Sequence, residues 1–296
     1  MENSDYLKNL NENQLEAVKT IDGPVMVFAG AGTGKTRTLI SRIVYMIKEC
    51  NIQPYHILAI TFTKKATNEM RERLEKQIEN KAKFVHISTI HSLCANILRR
   101  NATYLDYGRN FEVIDEEDQV KILNEIYKKS EINRRVLSPK VAIKAIGDFK
   151  NKSCLELVGL LKTVYNEYQT FLKENNMMDF EDLLVLTYQL FKENPNILEY
   201  YQDEFKYILV DELQDTNVVQ YDIINLLCQK YENIFAVGDD DQSIYSFRGA
   251  KIENMMKFKE DHPKAKIIKL VENYRSTNFC LLYTSPSPRD GAPSRM

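Results

Sequence analysis

The stretch PVMVFAGAGTGKTRTL, residues 24–39, decides how this chain reads. Residues 24–29 form an apolar run of the length and composition of a strand buried on both faces. A Gly-rich turn follows, and from about Thr36 to Cys50 the apolar spacing becomes helical. Gly30, Gly32 and Gly34 leave room for backbone amides to approach phosphate oxygens. The first turn of the helix adds unpaired N–H groups and a positive dipole end. Lys35 then reaches the β- and γ-phosphates of a bound nucleotide, and the Thr36 hydroxyl is a ligand for Mg²⁺. The full pattern G-x-x-x-x-G-K-[ST] asks for Gly where this chain has Ala29. The loop is therefore a variant running through Ala29, Gly30, Ala31, Gly32, Thr33, Gly34, Lys35 and Thr36. A chance Gly-rich turn is the bland alternative, and the flanking strand and helix argue against it.

Outward from this loop the same rhythm continues. ILAITF (57–62) and FVHIS (84–88) are apolar runs, followed by helices over about 65–80 and His91 to Arg100. Further on, YILV (207–210), IFAVG (234–238) and KIIKL (266–270) are strands, with a helix over about 217–229 after the first. Strands alternating with helices predict an α/β fold with a parallel sheet. Between about 101 and 178 strand runs are scarce, and helical spacing dominates QVKILNEIYKKS and LELVGLLKTVYNEYQTFLKEN. This segment reads as a helical insertion. The strand 207–210 runs directly into Asp211 and Glu212. Two acids after a strand are usually a solvated loop. Downstream of a phosphate loop they predict a Mg²⁺ ligand, Asp211, and a carboxylate that polarises the attacking water, Glu212.

Composition bounds the remaining possibilities. The chain has 296 residues, 44% hydrophobic and 28% charged, which is ample for one large or two smaller cores. Its 40 Lys and Arg against 42 Asp and Glu give a net charge of −2, so a nucleic-acid site must be a local patch. Five scattered cysteines without a CxxC pair and four histidines without ligand spacing exclude a disulfide scaffold or a zinc ribbon. No run has the ~18–20 apolar residues of a membrane helix, and the polar start MENSDYLKNL does not resemble a signal peptide. A cytoplasmic location without membrane contact is the expectation. The tail TSPSPRDGAPSRM (284–296) is predicted disordered, and LLYTSPSPRD (281–290) resembles translated sequencing-adapter read-through.

The strings AGAGTGKT, DELQDTN (211–217), VGDDDQSIYSFRGA (237–250) and ENYRS (272–276) resemble superfamily 1 DNA helicases of the UvrD/PcrA/Rep type. LNENQLEAV (10–18) is similar to their Q motif, ITFTKKATNEM (60–70) to motif Ia, and STIHSLCANILR (88–99) to motif Ib. DFEDLL (179–184) matches a further family string. The order is the family's, and the resemblance spans about residues 8–279. Lys64, Leu213 and Ile90 depart from the usual Asn, Phe, and Phe or Tyr. None removes a group the ATPase needs, although Lys64 alters an expected DNA contact.

The resemblance implies a RecA-like P-loop NTPase and ATP with Mg²⁺ as cofactors. Gln14 is expected at the adenine edge with Arg37 nearby. Tyr274 is expected against the adenine, Gln242 as a γ-phosphate sensor and Arg275 on the γ-phosphate. Single- and double-stranded DNA are the expected partners. Phe62, Thr63, Lys64, Thr89 and His91 are expected along the strand, together with Tyr245, Phe247 and Arg248. The last three form an aromatic and cationic cluster suited to base stacking; for any aromatic taken alone, core packing is an even alternative.

The implied plan has a first lobe in two parts (1–97 and 179–272), an accessory insertion (98–178), the start of a second lobe (273–280) and the tail (281–296). The implied parent is an ATP-dependent 3′→5′ helicase acting in repair or replication. This chain stops before motifs V and VI, so alone it is expected to bind nucleotide weakly and unwind nothing. Two other readings are the motor of an AddA/RecB-type helicase–nuclease, against which Asp241 argues, and a non-catalytic nucleotide- or DNA-binding module.

Overall fold

The computed structural model describes residues 6–30, 32–154, 156–239, 253–270 and 272. The first half alternates as the apolar runs require. Helix α1 (Glu12–Lys19) precedes β1 (Val25–Ala29), α2 (Lys35–Lys48), β2 (Ile57–Thr61), α3 (Lys64–Ile78), β3 (His86–Thr89) and α4 (Ile90–Asn101). The short strand β4 (Glu112–Val113) leads into α5 (Glu116–Lys129), α6 (Pro139–Lys150), α7 (Gly159–Glu174) and β5 (Met177–Met178). Then come α8 (Phe180–Glu193), α9 (Pro195–Glu204), β6 (Tyr207–Val210), α10 (Val218–Cys228), β7 (Ile234–Gly238), α11 (Glu253–Asp261) and β8 (Lys266–Leu270).

Six strands form one sheet in the order β3-β2-β6-β7-β1-β8, and every pairing in it is parallel. The expected α/β parallel fold is present. Strand residues alternate between the two faces, as a two-residue period demands. Met26, Phe28, Leu58, Ile60, Ile208, Val210 and Ala236 pack with α4, α8, α9 and α10. Val25, Val27, Ile57, Ala59, Leu209, Phe235 and Val237 pack with α2 and α3 on the other side. A third, separate cluster lies wholly among α5, α6, α7 and their connections, from Ile114 to Leu172.

Expected and observed boundaries differ modestly. The strand near 84–88 begins at His86, because Glu79–Phe84 winds into a 3-10 turn. Helix α6 has no clear signature in the sequence. Its buried positions are Ala142, Ile146 and Lys150, so the stripe that periodicity would detect ends in a lysine. Several helices begin on side-chain caps set directly at strand ends. Thr63 accepts from Ala66 N at 3.1 Å, and Thr89 accepts from Ser92 N at 3.3 Å. The pairings Phe28↔Gly238, Ile60↔Val210 and Thr61↔Thr89 bring the C-terminal ends of five strands side by side. That edge is where open α/β sheets bind ligands. Among the described residues, no helix is long and apolar enough to cross a membrane, and Cys50, Cys94, Cys154 and Cys228 are free thiols.

Candidate functional site

The phosphate loop leaves β1 at Ala29 and enters α2 at Lys35. Gly32 and Gly34 have φ of 83° and 87°, the left-handed region where an L side chain is strained. The Thr33 hydroxyl donates to the Gly30 carbonyl at 2.8 Å, closing the turn. Gln14 is fully buried beneath it. Its Nε2 donates to the Thr33 carbonyl at 2.8 Å, while its Oε1 accepts from Asn11 N at 3.0 Å as half of the α1 capping box. A Cβ on Gly34 would stand 2.6 Å from Gln14 Nε2, so only glycine lets α1 dock this closely. The Gln14 amide thus braces the loop from beneath and is shielded from solvent. Arg37 is exposed and donates to the Asn9 carbonyl at 3.4 Å.

The acidic segment meets this loop across the β6-β7-β1 edge. Lys35 Nζ lies 2.8 Å from Glu212 Oε1 and 2.9 Å from Oε2, and 3.7 Å from Asp239 Oδ2. Glu212 itself sits at φ 54°, ψ 52°, a left-handed conformation unusual for a residue with a side chain. Gln214 links the two acids: its Nε2 donates to Glu212 Oε2 at 2.6 Å, and its Oε1 accepts from Asp239 N at 3.2 Å. Gln214 is not among the residues that the motif chemistry marks. Its place inside DELQDTN was the available signal, but the role depends on β6 and β7 being neighbours.

Asp211 continues the ladder, its N–H donating to the Ile60 carbonyl at 2.9 Å. Its Oδ1 is buried with no hydrogen-bond partner. Burial first, and Glu212 second, push this carboxyl up to about 6 against the pull of Lys35. A buried, unpartnered carboxylate oxygen is a hard donor of the kind Mg²⁺ takes, and the Thr36 hydroxyl in the first turn of α2 is a donor of the same kind. No group of three His, Cys, Asp or Glu that could hold a metal occurs among the described residues.

Farther along the same edge stand the expected strand-contacting residues. Phe62 follows β2 with 57% of its surface exposed, and Thr63 and Lys64 open α3 beside it. Thr89 caps α4, and His91 lies in its first turn, its ring edge-on to Phe180 at 6.0 Å. Burial lowers the His91 pKa, which keeps the imidazole neutral at physiological pH. Phe180 is half exposed, an apolar surface at the start of α8 that the sequence reading held only within a matched string. Of the departures noted above, Leu213 and Ile90 are buried in the sheet-facing core, whereas Lys64 is exposed. Ala31, Gln242, Tyr245, Phe247, Arg248, Tyr274 and Arg275 lie outside the described residues.

Residues 10–263 match the family model for the UvrD/REP helicase N-terminal domain. The chain is 44% identical over 285 residues to the ATP-dependent DNA helicase PcrA of Staphylococcus aureus, and 45% identical over 285 residues to that of Staphylococcus epidermidis. In each case the match covers 93% of this chain and 39% of the relative, so the chain spans well under half the length of the curated relatives it matches.

Proposed function

The chain belongs to the UvrD/REP helicase N-terminal domain family, and from that premise we propose that it is the ATP-binding portion of a 3′→5′ DNA helicase. Such a protein couples ATP hydrolysis to movement along single-stranded DNA and to duplex unwinding in repair or replication. The observation that carries this reading is the bidentate Lys35–Glu212 pair at the sheet edge, beside the unpartnered Asp211 oxygen. A cation suited to phosphate and a carboxylate suited to act as a base stand side by side there.

The chemistry follows from these groups. Incoming β- and γ-phosphates compete with Glu212 for the Lys35 ammonium, since both are anionic and the loop amides add further donors. Lys35 turns to the phosphates, and Glu212 is left with Gln214 as its partner, free to accept a proton from an attacking water. Asp211 and the Thr36 hydroxyl would hold Mg²⁺, which supplies charge neutralisation for the phosphates. Gln214 ties the state of Glu212 to the end of β7, from which the chain runs on toward Gln242, the proposed γ-phosphate sensor. Arg37 and Tyr274 are proposed to flank the adenine, with Gln14 acting through the Thr33 carbonyl, and Arg275 to contact the γ-phosphate.

Single-stranded DNA is proposed to cross the strand ends over Phe62, Thr63, Lys64, Thr89 and His91, with Phe180 beside them and Tyr245, Phe247 and Arg248 following. The insertion 98–178, whose own core begins at Ile114, is proposed to face duplex DNA. A thermal-shift titration with Mg·ATP tests the nucleotide reading. Lys35→Ala is expected to weaken the response by about tenfold or more, read as the shift from each variant's own unliganded melting temperature, because the substitution also removes the partner of Glu212. Equal stabilisation of both chains would overturn the assignment.

A further inference from the structure

Three successive side chains at the end of α6 reach out of the insertion. Lys150 Nζ is buried between Asp179 Oδ2 at 2.6 Å and Asp182 Oδ1 at 2.7 Å, both on the capping box of α8. Lys152 Nζ meets Asp222 Oδ2 at 2.7 Å, and the other oxygen of Asp222 takes Lys257 of α11 at 2.7 Å. Asn151, between them, accepts a hydrogen bond at its Oδ1 from Asn217 Nδ2 at 2.8 Å. Lys150 and Lys152 bind helices; Asn151 binds the far end of the acidic loop.

That loop needs holding. Glu212 is in a left-handed conformation that persists only where its surroundings fix it. A 3-10 turn from Leu213 to Asp215 follows, and the Thr216 hydroxyl closes it by donating to the Leu213 carbonyl at 2.7 Å. Asn254 of α11 donates to Thr216 O at 2.5 Å. Asn217 then ends the loop, its Oδ1 accepting from Gln220 N as the α10 cap and its Nδ2 going to Asn151. One side-chain amide therefore joins the loop, the helix after it and the insertion.

We infer that Asn151 is a positioning residue for the acidic loop: through Asn217 the helical insertion sets how Asp211 and Glu212 are presented to the nucleotide. Linkage makes the effect reciprocal, so nucleotide binding at the loop stiffens the end of α6. The inference rests on the nucleotide reading above and adds a residue outside the sheet to that site. Asn151 is half-buried at the C-terminal end of α6, so its truncation is compatible with folding.

Amide hydrogen exchange of the 296-residue chain, with and without Mg·ATPγS, tests this, paired with the nucleotide dissociation constant of each variant. In the unaltered chain, nucleotide is expected to slow exchange both at 211–217 and at 139–152. Asn151→Ala is expected to lose the second protection and to weaken nucleotide binding by about three- to tenfold. Asn151→Asp, which retains the acceptor oxygen, is expected to restore both. Lys152→Ala cuts a neighbouring tie that does not touch the loop and is expected to leave affinity unchanged; an equal loss there would reduce Asn151 to general packing and overturn the inference. So would unaltered affinity and protection in Asn151→Ala, or a wild-type chain whose 139–152 segment ignores bound nucleotide. A wild-type chain that binds no nucleotide would fail earlier and overturn the nucleotide reading as well.

Discussion

At the end of β6 the Asp211 carboxyl is buried beside a second acid, and its pKa rises from an ordinary 3.8 to about 6. The folded chain therefore holds a proton there that the unfolded chain has released. Its contribution to stability is full below about pH 4 and is lost as pH rises through about 6. The loss amounts to at most about 3 kcal/mol. Asp211→Asn removes the ionised form while keeping the shape. It is expected to raise the melting temperature at pH 7.5, to flatten the pH dependence between about 4 and 6, and to abolish the extra stabilisation given by Mg·ATP over ATP alone. Differential scanning fluorimetry across pH, with and without ligand, measures all three. An unchanged melting temperature would mean that the buried oxygen costs nothing.

Lys35, Asp211 and Glu212 were legible in the sequence because the chemistry needs those residue types next to a strand end. Their pairing was not legible, nor was the bridging role of Gln214, since both depend on β7 lying between β6 and β1. Gln14 shows the same limit. Its string points to the nucleotide, but its hydrogen bonds to the Asn11 backbone and the Thr33 carbonyl, which seat it under the loop, were not legible.

At the scale of elements, the insertion and the sheet-bearing part meet through charge. The Lys150 ammonium serves two carboxylates at once. Burial drives the Asp182 pKa upward, and the two acids hold the ammonium firmly charged. Tyr168 of α7 donates to Asp179 at 3.1 Å and completes the junction. Breaking such a pair from one side leaves buried charge uncompensated. Lys150→Met is expected to cost about 3–5 kcal/mol in urea unfolding. Adding Asp179→Asn and Asp182→Asn should recover most of that, because Asn still caps α8. A single variant as stable as the parent would show the junction to be ornamental. The capped helices after β2, β3 and β6 could be anticipated from Thr63, Thr89 and Asn217. Helix α6 could not, because a lysine occupies the face that periodicity expects to be apolar.

For the whole molecule, a net charge of −2 means that no general field draws DNA in. On the proposed DNA path, affinity comes from the strand-end row and its aromatic faces. With about two cations engaged, Lys64 and Arg248, the logarithm of single-strand affinity should fall with the logarithm of salt at a slope of only about −1 to −2. Phe62→Ala should weaken binding by about 1–3 kcal/mol and leave that slope unchanged, since stacking releases no counterions. Fluorescence anisotropy over a salt series reads both quantities, and a steep slope would relocate the DNA path to an undetected basic surface.

The sheet order also dictates a schedule. Among the described residues β1 pairs with β7 and β8, so the strand carrying the phosphate loop waits for partners that lie about 200 residues downstream. At a synthesis rate of about 5–20 residues per second, that wait lasts roughly 10–40 s. During it β2 and β3 have each other, and α5 to α7 can close their own local core, while β1 stays unsatisfied on both edges. The nascent chain thus emerges with its most apolar strand exposed and its helical insertion already collapsed. The ribosome-bound intermediate, rather than the finished protein, is where this sequence is most open to chaperone capture and to aggregation.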